Sequence, residues 1–255
     1  MSSAKHTAIW DFELRQLLLP KLGNELSECE DVIAVDTQTC RFAVADGATE
    51  AFDAKRWAER LAQHWVGNEP ELNIDSFRDW VAAEGRELHD SWNGLTLSWY
   101  SEEKARKGSF AAFVGMELDL KTDTPGWKAI ALGDACLVHC RGRALLKSLP
   151  LADSQSFNST PVLVASDPSL HNGSMLSATI ADGLCEKGDV LLLLSDALAC
   201  WYLQNLETGE VDGGTLLGTK SDDELSEFFD IERGAGRIRN DDLALVRIEI
   251  TRRKS

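Results

Sequence analysis

Only the four residues TQTC separate the apolar run DVIAVD (31–36) from RFAVA (41–45), and only GD separates WKAIAL (127–132) from ACLVHC (135–140). A parallel partner needs a crossover of a dozen residues or more, so gaps this short dictate a largely antiparallel arrangement. SFAAFVGMEL (109–118), DVLLLL (189–194) and LALVRIEI (243–250), each bounded by turn residues, read as further strands.

Two stretches change period. Residues 50–66 place Phe52, Ala54, Trp57, Ala58, Leu61, Ala62 and Trp65 on one helical face, with Thr49 as the expected N-cap. Residues from about 76 to 99 carry Phe77, Trp80, Val81, Glu84, Leu88, Trp92, Leu95 and Trp99 at similar spacing, with a break expected at Asn93-Gly94 and the tryptophans expected in the core. ALACWYLQNL (197–206) reads as a helix after Ser195-Asp196. Strands, two helices, strands, helix, strand predicts packed sheets with helices outside.

The 255 residues, 44% of them apolar, contain no linker-like stretch and no repeat, which predicts a single domain over residues 1–255. The longest apolar run, ALACWYL (197–203), is far too short to span a bilayer, and MSSAKHTAIWDFELRQ has charges where a signal peptide needs an apolar stretch. A soluble, cytoplasmic protein without a membrane partner is expected. Its net charge of −16 would repel nucleic-acid phosphates, and the same excess suits a divalent cation. Cys29, Cys40, Cys136, Cys140, Cys185 and Cys200 form no CxxC pair and read as reduced core residues. None of the histidines shares a metal-ligand spacing with another, which argues against zinc.

Carboxylates stand at the ends of the apolar runs. Asp46 follows RFAVA, Asp134 follows WKAIALG, Asp196 follows DVLLLLS, Asp241 and Asp242 precede LALVRIEI, and Glu30 and Asp31 open DVIAVD. Each alone reads as a turn or cap residue. Together, on neighbouring strand ends, they would converge and repel one another unless a cation or protonation relieved them. Oxygen ligands of this kind suit Mg²⁺ or Mn²⁺, and two such ions about 3.5–4 Å apart hold a bridging water for in-line attack at phosphorus. Beside Asp46, Gly47 lets the backbone turn its carbonyl towards the second ion.

The ordered motifs ECED, VADG, GSFAAFVG, ALGDACLVHCRG, VLLLLSDAL and NDDLALV, over about residues 23–250, resemble the metal-dependent Ser/Thr protein phosphatases of type 2C. The resemblance implies an α/β (α+β) fold, a β-sandwich of two mainly antiparallel sheets flanked by helices (αββα), with a two-metal site at one end. It implies hydrolysis of phosphoserine and phosphothreonine in proteins, the products of a partner Ser/Thr kinase, by water bridging two Mn²⁺ or Mg²⁺ ions, with a third ion in some members. Carried over, Asp46 bridges the ions, Gly47 offers its carbonyl, Asp196 and Asp241 complete the first ion's shell, Glu30 and Asp31 hold metal-bound waters, and Asp134 serves a third ion.

The chain also departs from the family pattern. Leu26 falls where the family has a phosphate-binding arginine, leaving Lys21 as the nearest cation for substrate. Ala48, Thr49 and Glu50 follow Asp46-Gly47 where glycines are usual, Ala48 stands where some members have a histidine, and Ala197 replaces a glycine after Asp196. The serine-rich segment from Leu146 to Gly188 corresponds to a variable flap beside the site. Two alternatives stay open: a degenerate, non-catalytic binding module of the same fold, and a two-metal phosphohydrolase for small phosphate esters.

Overall fold

The computed structural model describes residues 9–68, 70–158, 160–171, 175–209, 218 and 220–253. The amino-terminal expectation, for residues 1–8, lies outside the described residues.

The chain opens with β1 (Trp10–Leu19), β2 (Asp31–Asp36) and β3 (Arg41–Gly47), then α1 (Ala54–Asn68), α2 (Ile74–Ser91) and α3 (Trp99–Lys107). It continues through β4 (Phe110–Asp119), β5 (Gly126–Leu132), β6 (Cys136–Arg141), β7 (Ala144–Leu149), β8 (Val164–Ala165) and β9 (Thr179–Leu184). β10 (Asp189–Leu194), α4 (Asp196–Thr208), α5 (Asp222–Gly234) and β11 (Leu243–Arg252) complete it. One sheet runs β1-β11-β10-β6-β7 and the other β2-β3-β4-β5-β9, with β8 on β4. The pairings are antiparallel, as the short connections require.

Side-chain alternation divides the interior into layers. Phe42, Val44, Val114, Met116, Leu191, Leu193, Val246 and Ile248 fill the space between the sheets. The opposite parity, Leu192, Leu194 and Leu245, meets Leu198, Tyr202 and Phe229 of α4 and α5. On the other side Ala43, Ala45 and Phe113 meet Trp57, Leu61, Trp65 and Phe77 of α1 and α2. After Asp189, β10 is therefore apolar to its end, being covered on both faces, and each fully buried leucine contributes about 1.5–3 kcal/mol. The result is the expected αββα sandwich.

The helices differ from expectation in their limits. α1 starts at Ala54 because Asp53 takes a φ of 55° and the preceding residues form a loop, tied down where Ala48 N donates to Phe110 O at 2.9 Å. Thr49 is no cap, and its hydroxyl bonds the Glu30 carboxylate at 2.5 Å instead. The second helix ends at Ser91, with Gly94 at a φ of 83°, and α3 starts separately behind Ser98, whose side chain accepts from Ser101 N. Trp99 lies on α3, 77% exposed, so it is not a core residue. All six cysteines are free, and Cys29, Cys136, Cys140 and Cys185 are buried.

Candidate metal centre

The hairpin at 37–40 places Asp36 opposite Arg41, and the same register brings Asp31 opposite Asp46. Both carboxylates continue the inter-sheet face, Asp31 in parity with Ile33 and Val35 and Asp46 with Phe42 and Val44. They close one end of the sandwich. Asp134 arrives from the turn between β5 and β6, where Gly133 takes a φ of 103° and a Cβ would lie 2.7 Å from that of Ala112. Only glycine meets both demands. Asp196 is the first residue of α4, and Asp241 stands two residues before β11.

An oxygen from each of Asp46, Asp134 and Asp196 lies within 4.8 Å of the others. Burial, then the charges of Asp31 and Asp196, push the Asp46 carboxyl well above the usual range. Burial and the Asp196 charge raise Asp134 to about 7. Asp196 is raised by burial, although the Arg239 guanidinium pulls against it. Asp31, 3% exposed, is raised by burial and by Asp196 and Asp242, with the Ser195 hydroxyl bonded to it as partial relief. That hydroxyl also accepts from Ala244 N at 2.9 Å, so Ser195 fastens Asp31 to the start of β11.

Asp241 has one oxygen 3.1 Å from Lys21 Nζ and the other 2.7 Å from Arg239 Nη2. Arg239 Nη2 also hydrogen-bonds Asp196 Oδ2. Asp242 faces the backbone instead, accepting from Lys21 N at 2.8 Å and Glu30 N at 2.9 Å, and so clamps the segment that leads into β2. Glu30 reaches the rim through Thr49. Burial lowers the Lys21 ammonium, but the hydrogen bond and charge of Asp241, with Asp242 and Glu30, hold it above its ordinary value.

Gly47 is needed for a reason other than its own φ. It is the last residue of β3, and a Cβ there would lie 2.9 Å from the carbonyl carbon and oxygen of Ala54, the first residue of α1. Ser109, from the GSFAAFVG motif, donates its hydroxyl to Phe52 O and secures the loop that follows Gly47. Leu26, in place of an arginine, is 57% exposed and lines a cavity together with Asp31. From the serine-rich segment between Leu146 and Gly188, Pro150, Leu151, Asn158, Pro161 and Val162 line a cavity of about 240 Å³ beside Asp134.

The donors fit a hard divalent ion. Asp46, Asp134, Asp196 and Asp241 offer oxygen only, and Asp31 Oδ2 is buried without a hydrogen-bond partner. An orphaned buried carboxylate oxygen is costly unless a cation or a cation-bound water meets it. His139, Cys185 and Asp189 also converge, a grouping no sequence spacing announces, but their chemistry is already closed. Trp127 Nε1 donates to His139 Nδ1 at 3.2 Å, His139 Nε2 lies 3.0 Å from Asp189, and Arg141 Nε reaches the other Asp189 oxygen at 2.8 Å. Burial lowers the His139 imidazole and pushes the Cys185 thiol up to about 12, which favours the neutral form of each beside the Arg141–Asp189 ion pair.

No protein-family model and no curated protein matches the sequence. Solved structures do match in fold. The catalytic domain of the serine/threonine protein phosphatase PstP, determined with two manganese ions, matches with a TM-score of 0.60 at 14% identity, covering 95% of this chain and 99% of that one. PppA, a regulatory component of the type VI secretion system in Pseudomonas aeruginosa, matches with a TM-score of 0.59 at 15% identity, over 94% and 97%. The serine/threonine phosphatase of S. agalactiae matches with a TM-score of 0.56 at 16% identity, over 93% and 99%. The fold is that of the type 2C phosphatases, as the motif order implies.

Proposed function

We propose that this chain, which has the fold of the metal-dependent type 2C phosphatases, is a Mn²⁺- or Mg²⁺-dependent hydrolase of phosphoserine and phosphothreonine in proteins. One observation carries the reading. Asp31, Asp46, Asp134, Asp196 and Asp241 come from separate elements and meet at one end of the sandwich, with Asp46, Asp134 and Asp196 close enough to share a cation. Burying mutually repelling carboxylates costs stability, and a fold retains that cost where ligand binding requires it.

Asp46, Asp196, Asp241 and the Gly47 carbonyl would hold the core ions, Glu30 and Asp31 would orient their waters, and Asp134 would serve a further ion. Bound Mn²⁺ or Mg²⁺ supplies Lewis acidity and a nucleophilic water at neutral pH. The protein's own part is positional. The β2–β3 register sets Asp31 against Asp46, Gly133 aims Asp134, and the Asp242 clamp and the Ser195 bridge keep the surrounding segments from spreading under repulsion. Lys21, beside Asp241, adds positive charge at the rim for an anionic substrate. The flap beside Asp134 is the natural contact for the protein around the phosphoresidue. The likeness in fold to PstP, a serine/threonine protein phosphatase, supports the choice of protein substrates.

The test is calorimetric titration of Mn²⁺ together with hydrolysis of an aryl phosphate by the native protein, Asp46→Asn and Asp196→Asn. Both variants should lose hydrolysis and bind Mn²⁺ much more weakly, because a neutral amide cannot offset repulsion between cations. Native Mn²⁺ affinity in both would sink the ligand assignment. The exposed Leu26 favours a second reading, a phosphate-site module without turnover. Mn²⁺ binding with no hydrolysis of any phosphate ester would select it.

A further inference from the structure

Among the described residues two side-chain cations, Lys21 and Arg239, touch the carboxylate cluster, and they are held differently. Lys21 is anchored at both ends: its backbone N donates to Asp242 at 2.8 Å, and its Nζ contacts Asp241 at 3.1 Å and Thr49 Oγ1 at 3.3 Å. Arg239 reaches in from the loop before β11 with a side chain 59% exposed, and one nitrogen, Nη2, contacts both Asp196 Oδ2 and Asp241 Oδ2. Among the described residues no other side chain holds its guanidinium. A single cationic nitrogen bridging carboxylates from α4 and from the β11 approach stands where a metal ion sharing those ligands would stand.

We infer that Arg239 is the resident counter-cation of this centre, that a divalent ion must displace it to take Asp196 and Asp241, and that the displaced guanidinium then binds the substrate phosphate. The inference rests on the metal-phosphatase reading. Its physical basis is competition for the same oxygens. A guanidinium and a divalent ion repel each other, so both cannot sit against Asp196 Oδ2 and Asp241 Oδ2. The ion carries twice the charge, and an exposed arginine that leaves opens no cavity in the core and regains rotamer freedom.

A displaced Arg239 stays tethered two residues from Asp241, at the open side of the cluster. Its planar fork suits two phosphate oxygens, a geometry that the ammonium of Lys21 cannot offer and that Leu26 lacks altogether. Arg239 would thus serve the same site twice, restraining repulsion while metal is absent and orienting the phosphate once metal is present.

The experiment is titration of Mn²⁺ into chelator-stripped native protein, Arg239→Gln and Arg239→Lys, followed by titration of inorganic phosphate into the Mn²⁺-loaded forms. Arg239→Gln should bind Mn²⁺ about tenfold more tightly, having lost its competitor, and phosphate about tenfold more weakly, having lost a charge-assisted contact. Its melting temperature without metal should fall and recover with Mn²⁺. Arg239→Lys should be intermediate in both titrations, and it keeps the test decisive if Arg239→Gln does not fold without metal. Native-like or weaker Mn²⁺ affinity in the variants, or unchanged phosphate affinity, overturns the inference while leaving the phosphatase reading intact. No Mn²⁺ binding by any of the three overturns both.

Discussion

Removing the charge of Asp134 should stabilise the metal-free protein, and more so at higher pH. Its carboxyl is raised from 3.8 to about 7 by burial and by Asp196. The sign follows from proton binding: between these values the folded chain holds the proton and the unfolded chain does not, so stability falls as pH rises to about 7 and then levels off. One pH unit corresponds to about 1.4 kcal/mol, so the span from about pH 5 to about pH 8 costs the native protein on the order of 3 kcal/mol through this group. Asp134→Asn escapes that cost. Asp31 and Asp46 slope in the same direction in both proteins, and because the Asp134 charge is among the causes that raise Asp46, the difference between the two reports Asp134 together with its effect on that neighbour. At roughly 2–4 °C per kcal/mol for a chain of this size, the variant should gain about 6–12 °C on the native protein between the two pH values. Calorimetric melting in a chelator measures it. A gap that stays constant or narrows as pH rises would refute the burial argument. Saturating Mn²⁺ should remove the advantage, because bound metal stabilises the native carboxylates.

Asp134→Ala should retain Mn²⁺ binding at the core ligands but turn over more slowly, which titration and steady-state kinetics separate. Gly47→Ala should lower stability by about 1–3 kcal/mol, since its Cβ meets the backbone of Ala54 at 2.9 Å, and urea denaturation reads the loss. Ser109→Ala strands the Phe52 carbonyl and should cost about 1–3 kcal/mol, with proteolytic nicking of the 48–53 loop as the second readout. Leu26→Arg, placed on the cavity that Asp31 lines, should lower the KM for an aryl phosphate about tenfold in an Arg239→Gln background and by less in the native protein.

The inner layers were legible because burial on both faces leaves a chain little choice. DVLLLL has the limits of β10, and the hairpin TQTC fixes a register that carries Asp31 to Asp46. The carboxylates could be found because each interrupts an apolar run. Peripheral elements left weaker marks. WDFELRQLLL is the edge strand β1, whose partly exposed positions admit charges, and β7 exposes four of its six residues. Thr49 looked like a cap because local chemistry favours it, but Glu30 takes its hydroxyl and Phe110 takes the next-door amide of Ala48. Asp-Gly at 46–47 suggests a turn, yet the glycine answers to the approach of α1. Arg239 was invisible, since GRIRNDD reads as a solvated polar stretch until the fold brings α4 beside it.

The most direct measurement of the central claim is phosphate release from a phosphothreonine peptide by the native protein, with Mn²⁺ and with a chelator, beside Asp46→Asn. The account predicts release that requires Mn²⁺, leaves no stable phosphoenzyme and vanishes in the variant. Release that persists in the chelator, or native protein that binds Mn²⁺ and leaves the peptide and an aryl phosphate untouched, would contradict it.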